Sequence, residues 1–161
     1  ICHRLVRTGI IKKDGAFSDE SMAEGGFPIS GQGREAVILS QDDVRDIQLA
    51  KAAVRAGIEL LLKRASKSCD DIERVYIAGG MGEHLSIDSA FGIGMLPEEL
   101  SGERGGLPRV TAVGNTSLKG AVEELLHPDP ARLEAITRMG TPLLLSDEPD
   151  FNDTFVSYMD F

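Results

Sequence analysis

The clearest hydrophobic pattern in the chain runs from Ser40 to about Ser66. At roughly 100° per residue, Val44, Ile47, Val54, Ile58, Leu61 and Leu62 share one broad face, while Leu49, Ala52, Ala53, Ala56 and Leu60 fill much of the opposite side. Ser40 followed three residues later by Asp43 is a capping-box start. These positions predict a long helix that is buried over most of its circumference.

The remaining patterns are shorter. Residues 1–11 read as a helix from the spacing of Ile1, Leu5 and Val6. Residues 12–34 carry five glycines and Pro28 and read as an exposed connecting loop. Residues 34–39 predict a strand, and so does the β-prone run Val75–Ala78, which stops in Gly79-Gly80-Met81-Gly82. A helix is expected over 87–92, ended by Gly94 and Pro97. Residues 109–113 form the next expected strand, Gly114-Asn115-Thr116 its turn, and 117–126 a helix with Leu118, Ala121, Val122 and Leu125 on one face. A helix over 131–139, a strand over 141–145 and a helix over 150–158 complete the expected elements. Such alternation of helices and strands signals an α/β layer fold. Two strand–glycine–helix units lie about 35 residues apart and are expected to be sheet neighbours, with both glycine turns at the carboxyl edge where α/β sheets bind ligands.

Composition narrows the classes of function. The 161 residues, 42% hydrophobic and 27% charged, suffice for one core. A net charge of -9, from 26 acidic and 17 basic residues, argues against nucleic acid as a partner, because phosphodiester binding rests on a cationic surface. No apolar run approaches the ~20 residues of a membrane span, and no signal-peptide order is visible at Ile1, so a cytoplasmic location and no membrane partner are expected. Cys2 and Cys69 lack any CxxC or histidine spacing for a metal site, and no metal ligands are assigned. A chain that starts at Ile1 in mid-helix reads as a fragment of a longer polypeptide.

Candidate chemistry begins on the long helix. Between Leu49 and Leu62 the only charges are Lys51, Arg55 and Glu59, four residues apart, with Gln48 at the same edge. An unpartnered charge at Lys51, close to Val44, Ile58 and Leu62, would cost several kcal/mol. It therefore needs an anion, a polar ligand or a route to water; a snorkelling Lys51 beside an Arg55–Glu59 pair is the plain alternative. Gly79, Gly80 and Gly82 let a base or phosphate approach the backbone, although a glycine turn after a strand also serves simply as a turn. The segment does not match GxGxxG, because Leu85 stands at the third glycine position. Gly114-Asn115-Thr116-Ser117 places amides at a helix start, where either an anion or an ordinary N-cap by Asn115 or Thr116 fits. No residue is assigned a catalytic role.

Three segments taken together resemble a known family: residues 40–53, Val75-Tyr76-Ile77-Ala78-Gly79-Gly80-Met81-Gly82, and residues 113–121 with Gly114-Asn115 and Gly120-Ala121. The resemblance is to ATP-dependent reductive activators of corrinoid proteins, and it extends from Thr8-Gly9-Ile10-Ile11 to the ending 150–156. It implies the second subdomain of an actin-like (ribonuclease H-like) ATPase fold, an α/β architecture with a mixed sheet flanked by helices. By resemblance, Gly79, Gly80, Met81 and Gly82 match the adenosine-contacting turn, and Gln48, Lys51 and Arg55 match the helix bordering adenine and ribose. Gly114 and Asn115 match the second connecting motif, where a helix packs at the hinge.

The resemblance also implies partners and cofactors. These are ATP with Mg2+, a corrinoid protein of a methyltransferase system, the upstream half of the same polypeptide, and an iron–sulfur cluster outside this chain. A homodimer is compatible with it. The family's phosphate-binding hairpins and magnesium-organising aspartates lie upstream of the matched region, so this chain alone is not expected to hydrolyse ATP. A small-molecule kinase on the same scaffold and an inert interaction module are the rival readings.

Overall fold

One helix organises the molecule. In the computed structural model the described residues are 1–31 and 33–161, without the side chains of Ala23, Arg34, Met81 and Glu83. Helix α3, Gln41–Arg64, follows α1 (Cys2–Arg7), α2 (Glu20–Gly25) and an antiparallel pair, β1 (Phe27–Ser30) with β2 (Val37–Leu39). Its 24 residues span about 36 Å at 1.5 Å each, enough to serve two hydrophobic clusters. Toward its start, Val44 joins Leu5, Ile11, Phe17 and Leu39. Further along, Ile58 packs on the cluster of Ala90, Leu96, Leu100 and Val110, together with Val75 and Ile77.

The capping box expected at Ser40 forms. Ser40 Oγ accepts from the Asp43 N–H at 3.1 Å, and Asp43 Oδ2 accepts from the Ser40 N–H at 2.8 Å. Acidic residues fill the first turn and Lys63 and Arg64 the last, matching the helix dipole.

Strand β3, Val75–Ala78, leads through α4 (Gly80–His84), α5 (Ile87–Gly92) and the hairpin of β4 (Glu103–Arg104) and β5 (Leu107–Pro108) to β6, Val110–Gly114. β3 and β6 pair in parallel, Val75 opposite Val110 and Ile77 opposite Ala112, so the two units are sheet neighbours as their repetition suggested. Helices α6 (Thr116–Leu126), α7 (Pro130–Met139) and α8 (Phe151–Ser157) follow. Among the described residues no helix is long and apolar enough to cross a membrane.

Three expectations are corrected. Residues 12–34 are more than a connecting loop: they contain α2 and β1, and Phe17 is buried, because its ring and its bridge to Ile11 complete the first cluster. The strand of 34–39 begins only at Val37, after a single 3-10 turn at Gly33–Glu35. No strand forms over 141–145. Leu145 instead starts a 3-10 turn, and its side chain packs on α3 at Gly57, where an added Cβ would lie 3.2 Å from Leu145 Cδ1.

Candidate functional site

The two glycine turns meet. β3 ends at Ala78, opposite Gly114 at the end of β6, and the Gly79 N–H donates to the Gly114 carbonyl at 3.0 Å. Gly79 has φ +101° and Gly114 φ +73°, conformations that disfavour any residue with a Cβ. Space is not what requires glycine at 79 or 80, because an added Cβ at either would meet nothing within 4 Å. That backbone faces open space. Gly82 is different: its Cβ would fall 2.8 Å from Ile77 Cγ2, so it allows α4 to sit on β3. Met81 lies on α4 between them, and its side chain is outside the described residues.

Asn115 takes the N-cap role, its Oδ1 accepting from the Leu118 N–H at 3.0 Å. Lys119 Nζ donates to the Val113 carbonyl at 2.9 Å, which leaves a positive charge over the Gly114 turn. The carboxyl edge of β3 and β6 thus gathers Gly79, Gly80, Gly114, Asn115 and one ammonium. Carboxyl edges of α/β sheets are where ligands commonly bind, and successive backbone amides at turns favour anions.

The polar stripe of α3 is placed differently from its expected position at the edge of an apolar face. Gln48 and Lys51 lie at the centre of the buried face, 1% and 2% exposed, while Val54 and Leu61 face outward. Gln48 Nε2 donates to the Asp14 and Met159 carbonyls, each at 3.1 Å. Lys51 Nζ donates to the Asp160 carbonyl and sits 5.4 Å from the centre of the Phe161 ring. Arg55 pairs with Glu59 at 2.8 Å and lies over the Tyr158 ring at 4.8 Å. Lys51 therefore has a polar partner within its own chain and does not snorkel. Among the described residues, no hydrogen bond or ion pair joins this stripe to the glycine turns.

A model of the C-terminal domain of RACo, described as the ASKHA domain, matches residues 1–161. This chain belongs to the RACo C-terminal ASKHA domain family. The fold of this ASKHA domain is accordingly actin-like. Over 121 residues it is 36% identical to the corrinoid activation enzyme RamQ of Eubacterium limosum, a match covering 74% of this chain and 19% of RamQ. It superposes on a reductive activator for corrinoid, iron-sulfur protein with a TM-score of 0.84 at 30% identity, covering 99% of this chain and 27% of the activator. The ASKHA domain thus spans about a fifth of one relative and about a quarter of the other.

Within the ASKHA domain, burial holds the Lys51 ammonium below its usual range, opposed by the charge of Asp160 and reinforced by Arg55. No motif within 158–161 itself marks the segment as the partner of this stripe. The available signal was indirect: charges on a helix face otherwise fit for burial, and aromatic residues continuing past α8 at Tyr158 and Phe161.

Proposed function

We propose that this chain is one half of the nucleotide clamp of an ATP-dependent reductive activator, which returns an inactive cobalt(II) corrinoid protein of a methyl-transfer system to cobalt(I). The joined glycine turns at the carboxyl edge of β3 and β6 carry this reading, in a chain of the RACo ASKHA family. The open backbone at Gly79 and Gly80 fits the adenosine moiety, Met81 and Gly82 continue that turn, and Gly114 with Asn115 closes its other side. Gln48, Lys51 and Arg55, which hold residues 158–161 against α3, support the wall proposed beside the adenine and ribose. Bound with Mg2+, the nucleotide supplies the free-energy difference between open and closed clamp; a ligand shifts such an equilibrium only by its differential affinity for the two forms.

In this proposal the other half of the clamp lies in the remainder of a longer polypeptide. Exposed Leu118, Val122 and Leu125 on α6 support that division, since an amphipathic helix of 11 residues is marginal in water without a packed face. The remainder also carries the iron–sulfur centre, from which one electron passes to cobalt. The partner is the cytoplasmic corrinoid protein, and a homodimer is compatible with the arrangement.

Gly80→Val in the full-length protein tests the site. A Cβ at 80 meets nothing within 4 Å beyond its own helix turn, so folding should be retained while ATP affinity falls at least about tenfold, some 1.4 kcal/mol. Unchanged affinity in a folded variant would remove the glycine turn from the nucleotide site.

A further inference from the structure

Four successive residues, 158–161, lie along the face of α3 that carries Gln48, Lys51 and Arg55, and each is held by one of those side chains. Arg55 covers the Tyr158 ring, Gln48 donates to the Met159 carbonyl, and Lys51 donates to the Asp160 carbonyl while facing the Phe161 ring. The spacing 48, 51, 55 keeps the three on one side of the helix. At its far end the segment is tied to the first cluster: the Phe161 N–H donates to the Lys13 carbonyl at 2.8 Å, and Phe161 packs on Leu5, Ile11 and Phe17. Gln48 extends the same tie by donating to the Asp14 carbonyl.

A ligand touching Gln48 or Lys51 would have to displace this segment, since both side chains are closed off beneath it. Displacement would strip a buried ammonium of its carbonyl and its aromatic face, an expensive exchange in a low-dielectric setting. The segment, by contrast, gives Gln48 and Lys51 carbonyls that any peptide carries, and gives Lys51 and Arg55 a ring each.

We infer that this face of α3 is a seat for peptide backbone and aromatic rings, and that 158–161 is a strap bound in it. Gln48, Lys51 and Arg55 are then positioning residues: they hold the wall of the proposed nucleotide site through the strap and do not touch the nucleotide. The nucleotide part of this statement rests on the function proposed above; the strap does not. Recognition through carbonyls leaves the side chain at 159 free to vary, whereas the Asp160 charge adds to the hold on the Lys51 ammonium and 158 and 161 need rings.

The test is a double-mutant cycle in the full-length protein between Lys51→Met and Phe161→Leu, with Met159→Ala as control. Two quantities are read: hydrogen exchange of the Phe161 amide, and ATP affinity by calorimetry. Both single variants should release the strap, lowering protection of the Phe161 amide about tenfold or more, while Met159→Ala retains it. Their effects on ATP affinity should be equal, and the double variant should add nothing, because both act through one element. Weaker ATP binding in Lys51→Met with the strap still protected, or a double variant whose losses add, would overturn the inference in favour of direct contact. Should Lys51→Met fail to fold, Tyr158→Leu with Phe161→Leu provides the same cycle from the strap side. A wild-type protein that binds no ATP would refute the proposed function, while the exchange measurement would still decide the strap.

Discussion

Arg109 is buried, and its guanidinium donates to the carbonyls of Glu99, Cys69 and Ile72, pinning two loops beneath the start of β6. Arg109→Met would keep the apolar stem and orphan three acceptors. We expect a loss of about 2–3 kcal/mol, read as a fall in the urea midpoint at constant slope. Lys63 offers the contrast: its pairing with Asp150 is exposed, and Lys63→Ala should change stability little. Lys51 has a signed pH dependence. Burial depresses its pKa in the folded state below 10.5, so the unfolded chain binds more protons in the window just beneath that value. Stability relative to Lys51→Met should therefore rise as the pH is raised toward 10.5; a flat or falling difference in urea melts would contradict the burial of the charge. That Lys51 needs a partner was legible in helical periodicity. Which partner was not, because Asp160 is 109 positions away and a periodicity says nothing of what approaches a face.

Among elements, α3 was the most legible, since its cap, its length and its spacing all agree on one helix. Ser40→Ala should cost about 1 kcal/mol by removing the cap, measurable as a lower melting temperature. The Ser40 hydroxyl and then its amide hold the Asp43 carboxyl below its ordinary 3.8. That contribution is present above pH 3.8 and is lost as the pH falls through the folded value. Asp43→Asn should accordingly show a shallower loss of stability below pH 4, and an acid profile identical to wild type would contradict it. Elements that lean on distant contacts were harder to read. β1 is a four-residue strand with Pro28 inside it, defined by its pairing with β2 and not by its own pattern. Residues 141–145, Thr-Pro-Leu-Leu-Leu, are apolar but carry Pro142, which cannot donate to a strand ladder, and Leu145 packs on α3 at Gly57 instead of entering a sheet.

At the scale of the whole molecule, α3 bridges two clusters, the strap lies along its middle turns, and the backbone at Gly79 and Gly80 lies open. The arrangement of glycine turns as sheet neighbours could be anticipated from two repeated strand–glycine–helix units, and the actin-like fold from the three resembling segments together. The division of labour between turns and stripe could not, because both carry residues suited to a ligand and only the fold shows that the stripe already has one. The proposed role of this chain is half of a nucleotide clamp. Calorimetric titration of the full-length protein with ATP and Mg2+, repeated with residues 1–161 alone, tests it most directly. Binding by the full-length protein, with affinity at least about tenfold weaker for residues 1–161, is the predicted result. Absence of binding in both would contradict the account.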